Sequence, residues 1–457
     1  MFKLLMKTNN FRFWNRINQY FLSSRKFMSA SKIKVEVMSN GLKVATNESD
    51  SPLICTSIFI QCGSRYENIC NNGVSSFIER MVISNKDFQE TVYNSCIKIR
   101  STTTREYQMF SAVSPIENAS RNIEILFKVI SDLDFDDTEL QLQKKNICLE
   151  AVDYDNNPKK VVFDYLHQTA FQGTPLAQTV MGPTKNILEF DKNIISNFKS
   201  ENYQPHRLSL AVSGGVSHAT MVDEVRGNLH CLRHTECKEC NFGAQRFTGS
   251  QIISRDDSMP YAHVAIAIEA PGYNSQEYLT LLVASSLTDS WDRTQGGTIC
   301  NGSPLARAAS TSLLCEKFES FYIAYQDVGL WGIYFVGDRL CLDDMVSNIQ
   351  DQWMQMCTTI VQTDVQRAVN LAKLKLAKQV NGVANSCRDV GLQLLYKSEL
   401  KSLSELYCEL SNITDKMIKD VAFNYIYNKC PVVAAIGPTE ALPDYNRIRS
   451  GMYWLRL

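Results

Sequence analysis

From residue 33 onward, short apolar or alternating runs take turns with longer stretches at helical spacing, and brief turns separate them. Ser57, Phe59 and Gln61 alternate with Ile58, Ile60 and Cys62, and Gly63 closes the run. That pattern predicts a buried strand, and the polar stretch from Ser64 to Asn72 predicts a loop after it. A second strand is predicted over His263 to Glu269, stopped at Pro271-Gly272, with a helix over Ser275 to Leu287. Near the end, Met417, Ile418, Val421, Ala422, Tyr425 and Ile426 fall at helical spacing behind Thr414, a good N-cap. An apolar strand, Val432 to Ile436, follows and ends at Gly437-Pro438. The order strand, turn, helix occurs in both halves. The chain therefore reads as mixed α and β, and an internal duplication is compatible with that order.

At 457 residues the chain exceeds what one core usually supports. Residues 226 to 250 lack apolar periodicity and are rich in Arg, Cys, Glu, Gly and Ser, which makes them the linker candidate. The expected divisions are a leader at 1–30, a first domain at 33–232, a linker at 233–248 and a second domain at 249–457.

The net charge of −1 conceals an uneven distribution. Residues 1 to 35 hold eight Lys or Arg and no acid, so the remainder carries −9. In that lead, Phe2, Leu5, Phe13, Ile17 and Phe21 share a helical face while Lys3, Lys7, Arg12 and Arg16 lie largely elsewhere. This basic, acid-free amphipathic pattern predicts a mitochondrial transit peptide, with a cleavage neighbourhood at Arg25-Lys26-Phe27 before Met28-Ser29. A basic helix lying on a membrane surface would show the same pattern. No apolar run is long enough to span a bilayer, so membrane association is expected to be peripheral, through partners. The fifteen cysteines are scattered and odd in number, which fits a reducing compartment better than a disulfide framework.

Residues 72 to 80 (NGVSSFIER) and the tail from Leu442 to Leu455 (LPDYNRIRSGMYWL) carry a resemblance. So do Val161 to Pro183, Arg246 to Glu269 and Gly329 to Val336. The chain resembles the family that unites the mitochondrial processing peptidases with the core proteins of ubiquinol–cytochrome c reductase, respiratory complex III, over residues 33 to the C-terminus. That resemblance implies an α+β fold of two similar α/β-sandwich domains joined by a linker. In catalytic members a helical His-x-x-Glu-His motif and a distal Glu hold zinc, and the motif's Glu serves as base on the zinc-bound water. Laid on this sequence, the first His position is Ser76, the base position is Glu79, the second His position is Arg80, and the distal ligand position is best matched by Glu150. A guanidinium offers no lone pair and stays charged, so Arg80 opposes a metal there. The resemblance thus implies no metal, no cofactor and no hydrolysis by the family mechanism, with these four positions vestigial. A second reading stands beside it: Glu79 and Arg80 as a paired or solvated charge couple, and Glu150 as a helical charge beside Lys144, Lys145 and Asp153.

Other features are weaker. His230, Cys231, His234, Cys237 and Cys240 are potential zinc ligands, but they are too compact for the usual two-pair arrangement. Val212-Ser-Gly-Gly-Val216 and Gln295-Gly296-Gly297 read as turns, because neither has the spacing of a phosphate loop. His167 reads as a core or interface residue. An acidic body without a basic stripe argues against nucleic-acid binding.

The resemblance implies a non-catalytic core subunit of complex III on the matrix side of the mitochondrial inner membrane, bound to the second core protein and other subunits of that complex. Alternatives are a subunit that borrows metal ligands from its partner, and a dead processing-peptidase-like subunit that holds presequence peptides. Tyr453, Trp454, Arg447, Arg449 and Arg456 give the tail an interface-like composition, although packing on its own domain is an equal alternative.

Overall fold

The computed structural model describes residues 33–130, 136–229, 245–397 and 400–453. The expected leader, the His/Cys cluster at 230–240, most of the expected linker, and Trp454 and Arg456 lie outside the described residues.

Two six-stranded sheets organise the chain. The first contains β1 (Ile33–Val37), β2 (Lys43–Glu48), β3 (Leu53–Ile60), β4 (Lys98–Thr103), β5 (Gln108–Pro115) and β6 (Leu208–Gly214), in the order β1-β2-β6-β3-β5-β4. The second contains β7 (Gln251–Arg255), β8 (Ala262–Pro271), β9 (Ser290–Asp292), β10 (Lys317–Ala324), β11 (Val328–Gly337) and β12 (Val432–Gly437), in the order β7-β12-β8-β11-β10-β9. In each sheet one pair is parallel, β2 with β6 and β7 with β12, and the other pairs are antiparallel. Aligning those parallel pairs superimposes the order β2-β6-β3-β5-β4 on β7-β12-β8-β11-β10. The repeat suggested by the sequence is therefore a repeat of topology, with β1 and β9 as additions at opposite ends.

Six helices position the candidate site and the junction between the halves: α1 (Val74–Ser84), α2 (Asp137–Asp155), α3 (Pro158–Ala170), α4 (Tyr278–Thr288), α5 (Gln362–Val380) and α6 (Val383–Tyr396). α1 follows β3 as α4 follows β8. The pair α2 and α3 corresponds in order to α5 and α6.

Each half lends a helix to the other. α3 packs on β8 and β12 of the second sheet, where Val162, Leu166, Ala170 and Phe171 share a core with Ala265, Leu330, Tyr334 and Val432. In return α6 packs on β2, β3 and β6 of the first sheet, where Cys387, Val390 and Leu394 join Ala45, Cys55, Phe59 and Ala211. The opposite face of each sheet is covered by its own half's helices. This two-sided cover explains why β11 is buried at every position and β3 at all but its first. Burial of both faces removes the polar half of a strand's alternation.

The predicted elements are found with shifted ends. β3 begins earlier than expected and stops before Gln61; its Thr56 and Ser57 are polar yet buried. Thr414 accepts a hydrogen bond from Met417 N and caps the helix Asp415–Tyr425. The polar stretch after β3 is a loop as expected, with a single 3-10 turn at Ser64–Tyr66, and Ser64, Arg65, Glu67 and Asn72 in it are buried, because their polar atoms bond across the fold rather than to solvent. Arg447 and Arg449 make the contacts expected of the alternative in which the tail packs on its own domain. Arg447 pairs with Asp343 at 2.6 Å and Arg449 donates to Asn428 O at 2.9 Å, while Ile448 and Met452 lie in the second core.

Candidate functional site

α1 starts at Gly73, whose φ of 99° is in the left-handed region. A Cβ there would also sit 2.6 Å from Met181 O, so backbone shape and close approach both require glycine. The helix N-terminus is held by Glu67, whose carboxylate accepts from Gly73 N at 2.7 Å, Ser75 N at 2.7 Å and Asn72 Nδ2 at 2.9 Å. A buried carboxylate suits this place, because the first N–H groups of a helix lack internal partners and carry the positive end of its dipole. Burial still pushes the Glu67 pKa up, against the pull of those hydrogen bonds.

Further along α1, Ser76 and Arg80 are one helical turn apart and on one face. Glu79 is buried, with 4% of its surface exposed. Ser101 Oγ and Arg80 Nη1 donate to its Oε1, the latter at 3.2 Å, and Thr103 Oγ1 donates to its Oε2. Arg80 Nε donates to Glu150 Oε2 at 2.9 Å, which ties α1 to α2. One guanidinium thus lies between the two carboxylates that sequence reasoning singles out. Burial opposes the charge of Arg80, but the hydrogen bond to Glu150 and the field of Glu79 prevail, and its pKa rises further.

The structure therefore brings Glu79, Arg80 and Glu150 into one cluster and places Ser76, also buried, a turn away. Of the paired or solvated couple expected of Glu79 and Arg80, the pair is present at 3.2 Å, while Glu79 is buried rather than solvated because its hydroxyl donors on β4 draw it inward. Glu150 bonds Arg80 rather than Lys144, whose Nζ donates to Leu188 O at 2.9 Å.

Sequence reasoning missed a second polar cluster, at the junction of the halves. Arg65 grips Asp327 in a bidentate pair, Nη1 to Oδ1 at 2.9 Å and Nη2 to Oδ2 at 2.7 Å, and also bonds Glu106. Glu106 accepts from Gln326 N as well. Beside it, Arg105 pairs with Asp164 at 2.6 Å, and Tyr154 Oη donates to the same carboxylate at 2.7 Å. His167, fully buried on α3, meets Tyr325 of the second half at 2.7 Å. The sequence places His167 in a core or an interface, and it lies where the halves meet. No motif marks Arg65, Glu106 or Asp327, since their partners are far off in the sequence.

Residues 43–184 match the family described as insulinase (peptidase family M16), and residues 189–372 match the peptidase M16 inactive domain. The chain belongs to peptidase family M16. Among its relatives is the cytochrome b-c1 complex subunit 1, mitochondrial, of Mus musculus, 35% identical over 441 residues that cover 95% of this chain and 92% of that protein. Another is the mitochondrial-processing peptidase subunit beta of Homo sapiens, 34% identical over 451 residues, covering 97% and 92%. In the solved complex III2 from Candida albicans with Inz-5 bound, a chain shares the fold with a TM-score of 0.84 at 23% identity, covering 92% of this chain and 100% of that one. The two kinds of relative are practically equal in identity, so the site has to discriminate between them.

For this M16 chain, the zinc of the family's metal motif does not fit the side chains present. By the resemblance, a hydroxyl and a guanidinium stand where the motif has imidazoles, and the guanidinium hydrogen-bonds both carboxylates. A divalent cation would have to displace Arg80 and then stand beside its charge. Both oxygens of Glu79 already accept hydrogen bonds from Arg80, Ser101 and Thr103.

Proposed function

We propose that this chain is a non-catalytic core subunit of mitochondrial ubiquinol–cytochrome c reductase, with a structural and assembly role. The observation that carries the proposal is the bridge from Arg80 to Glu79 and Glu150, since a peptidase of this family depends on the metal that the bridge replaces. Homology to cytochrome b-c1 complex subunit 1 over nearly the whole chain supplies the assembly. On this reading the chain enters mitochondria through its leader and stands on the matrix side of the inner membrane. It pairs there with the second core protein and reaches the membrane through other subunits of the complex. No helix among the described residues is long and apolar enough to cross a membrane, which is compatible with that placement. Its two domains correspond to residues 33–232 and 249–457, joined at 233–248.

Homology to the processing peptidase β subunit favours a second reading, a dead subunit that holds presequences. An open cleft of about 420 Å³ lies beside Asn72, but its lining of Gln168, Gln172, Gly173, Ala177, Gln178 and Thr179 is uncharged and offers no carboxylates to a basic peptide. Native electrophoresis of gently solubilised mitochondria, with the tagged chain found by mass spectrometry, separates the readings. Migration with complex III is expected. Migration with the processing peptidase, or alone, would overturn the proposal.

A further inference from the structure

The face of β3 covered by α6 carries an arrangement that plays no part in the metal-site geometry. Gly391 of α6 stands directly on the ring of Phe59: a Cβ there would lie 1.9 Å from Phe59 Cε2. The missing side chain lets a helix from the second half come closer to the first sheet than two packed side chains would allow. One turn back along α6, roughly 6 Å, is Cys387; two residues back along β3, roughly 7 Å, is Ser57. Helix and strand therefore keep step, and Cys387 arrives over Ser57 as Gly391 arrives over Phe59.

The thiol of Cys387 consequently lies 3.2 Å from Ser57 Oγ and 3.2 Å from Ala211 O. Cys55, two residues before Ser57 on the same face of β3, has its sulfur 3.6 Å from the same Ser57 hydroxyl. Both sulfurs thus converge on one hydroxyl, inside one buried cluster. Both are free and buried. We propose that Cys55 and Cys387 are an oxidant-sensitive pair that closes to a disulfide, covalently tying the crossing helix of the second half to the sheet of the first.

The pair is chemically asymmetric. The neighbouring Cys387 lowers the Cys55 pKa against the opposing effect of burial, with the Ser57 hydroxyl and the charge of Arg100 assisting, whereas burial raises that of Cys387. With the Cys387 proton directed at Ala211 O, Cys55 is the nucleophile and Cys387 the resolving thiol. With a hydroperoxide as oxidant, the Cys55 thiolate attacks the terminal peroxide oxygen; the O–O bond breaks and leaves Cys55 as a sulfenic acid. Cys387 then attacks that sulfur, the S–O bond breaks, and the hydroxide leaves as water with the Cys387 proton. Two thiols and one hydrogen peroxide become one disulfide and two waters, and the two electrons given up by sulfur reduce the peroxide. In a reducing compartment such a bond is transient. Its effect is to clamp the two halves together during oxidative stress.

The test uses the full chain in its native assembly. Mitochondria are treated with hydrogen peroxide, quenched by alkylation under denaturing, non-reducing conditions, and the peptides are mapped by mass spectrometry. The expected product joins the Cys55 and Cys387 peptides with loss of two hydrogens, disappears on reduction, and is absent from Cys55→Ser, in which Cys387 is recovered alkylated. Recovery of both thiols alkylated at a peroxide dose that oxidises the exposed Cys70 and Cys430 would overturn the proposal. So would Cys55 trapped as a sulfinic acid with Cys387 still free, since the resolving thiol would then be out of reach. The wild-type map decides the matter even if a variant fails to fold.

Discussion

Arg80 Nε stands 2.9 Å from Glu150 Oε2, and this contact joins two helices whose residues are 70 apart in the sequence. The resemblance puts these positions where catalytic members of the family capture a cation. In this chain the positive charge there is the Arg80 guanidinium, covalently part of α1. The guanidinium serves two carboxylates with directed hydrogen bonds, so the cluster is complete without any ligand from outside.

If Arg80 replaces the metal as the tie between α1 and α2, its removal should be felt in stability. Arg80→Ala leaves Glu79 buried beside Ser101 and Thr103 with less compensation, and is expected to cost ~1–3 kcal/mol. That cost is below the loss of a fully buried pair because about a third of Arg80 and nearly half of Glu150 are exposed. Thermal unfolding of the variant checks this; an unchanged midpoint would falsify the strut role.

The surviving carboxylates also predict a gain of function. Ser76→His with Arg80→His restores two imidazoles one turn apart on α1, facing a Glu150 that is already on α2. The double variant should retain zinc through gel filtration at close to one ion per chain, as measured by elemental analysis, whereas the wild type should retain none. Absence of zinc from the folded double variant would mean that Glu150 is not at the distal ligand position.

Asp327 should anchor the two halves to each other. Its bidentate pair with Arg65 lies over Glu106, so Asp327→Ala strips the buried guanidinium of one of its two carboxylates. The expected loss is ~2–4 kcal/mol, reduced from the fully buried case because Asp327 itself is partly exposed. Cleavage by a protease at the junction should accelerate correspondingly. Equal cleavage rates in the variant and the wild type would show that the halves hold together by their exchanged helices alone.

The sequence revealed those parts of the fold that obey local rules. Thr414, the stop at Gly437-Pro438 and the apolar stretch of β8 depend on near neighbours, and they were legible for that reason. The positions of Ser76, Glu79, Arg80 and Glu150 were legible only through family resemblance; the bridge itself was not, because nothing in a helix signals a partner on another helix. Arg65 and Glu106 escaped notice altogether, since a polar residue in a polar stretch gives no sign that it will be buried. The exchange of α3 and α6 was hidden as well. Both helices have ordinary apolar stripes, and a stripe does not name the sheet it will cover.

Gly391 offers a test of that exchange. Gly391→Ala places a methyl group where Phe59 already stands, so α6 must rise off the first sheet or the ring must move. Overpacking of this kind typically costs ~1–3 kcal/mol. Adding Phe59→Leu should recover part of the loss, because the smaller side chain makes room for the methyl. The thermal midpoints of the single and double variants check this. Additive destabilisation would mean that the two residues do not meet.

His167 predicts a pH dependence whose sign is fixed by its surroundings. Its Nδ1 lies 2.6 Å from Phe163 O, an acceptor only, so Nδ1 carries the proton and Nε2 accepts from Tyr325 Oη. The ring is therefore neutral in the folded chain. Burial, with the nearby charge of Arg105 in support, holds its pKa well below the ordinary value. Between that depressed pKa and the unfolded value of about 6.5, the unfolded chain binds the extra proton and the folded chain does not. Stability from this residue is thus fully present above about pH 6.5 and declines as the pH falls, by at most ~1.4 kcal/mol per pH unit. His167→Gln keeps an acceptor for Tyr325 but cannot titrate, so its thermal midpoint should fall less than that of the wild type between pH 7 and pH 5. Parallel curves would show that the imidazole is already charged in the folded state, in which case Tyr325 could not be its donor and the contact between the halves would have to be drawn differently.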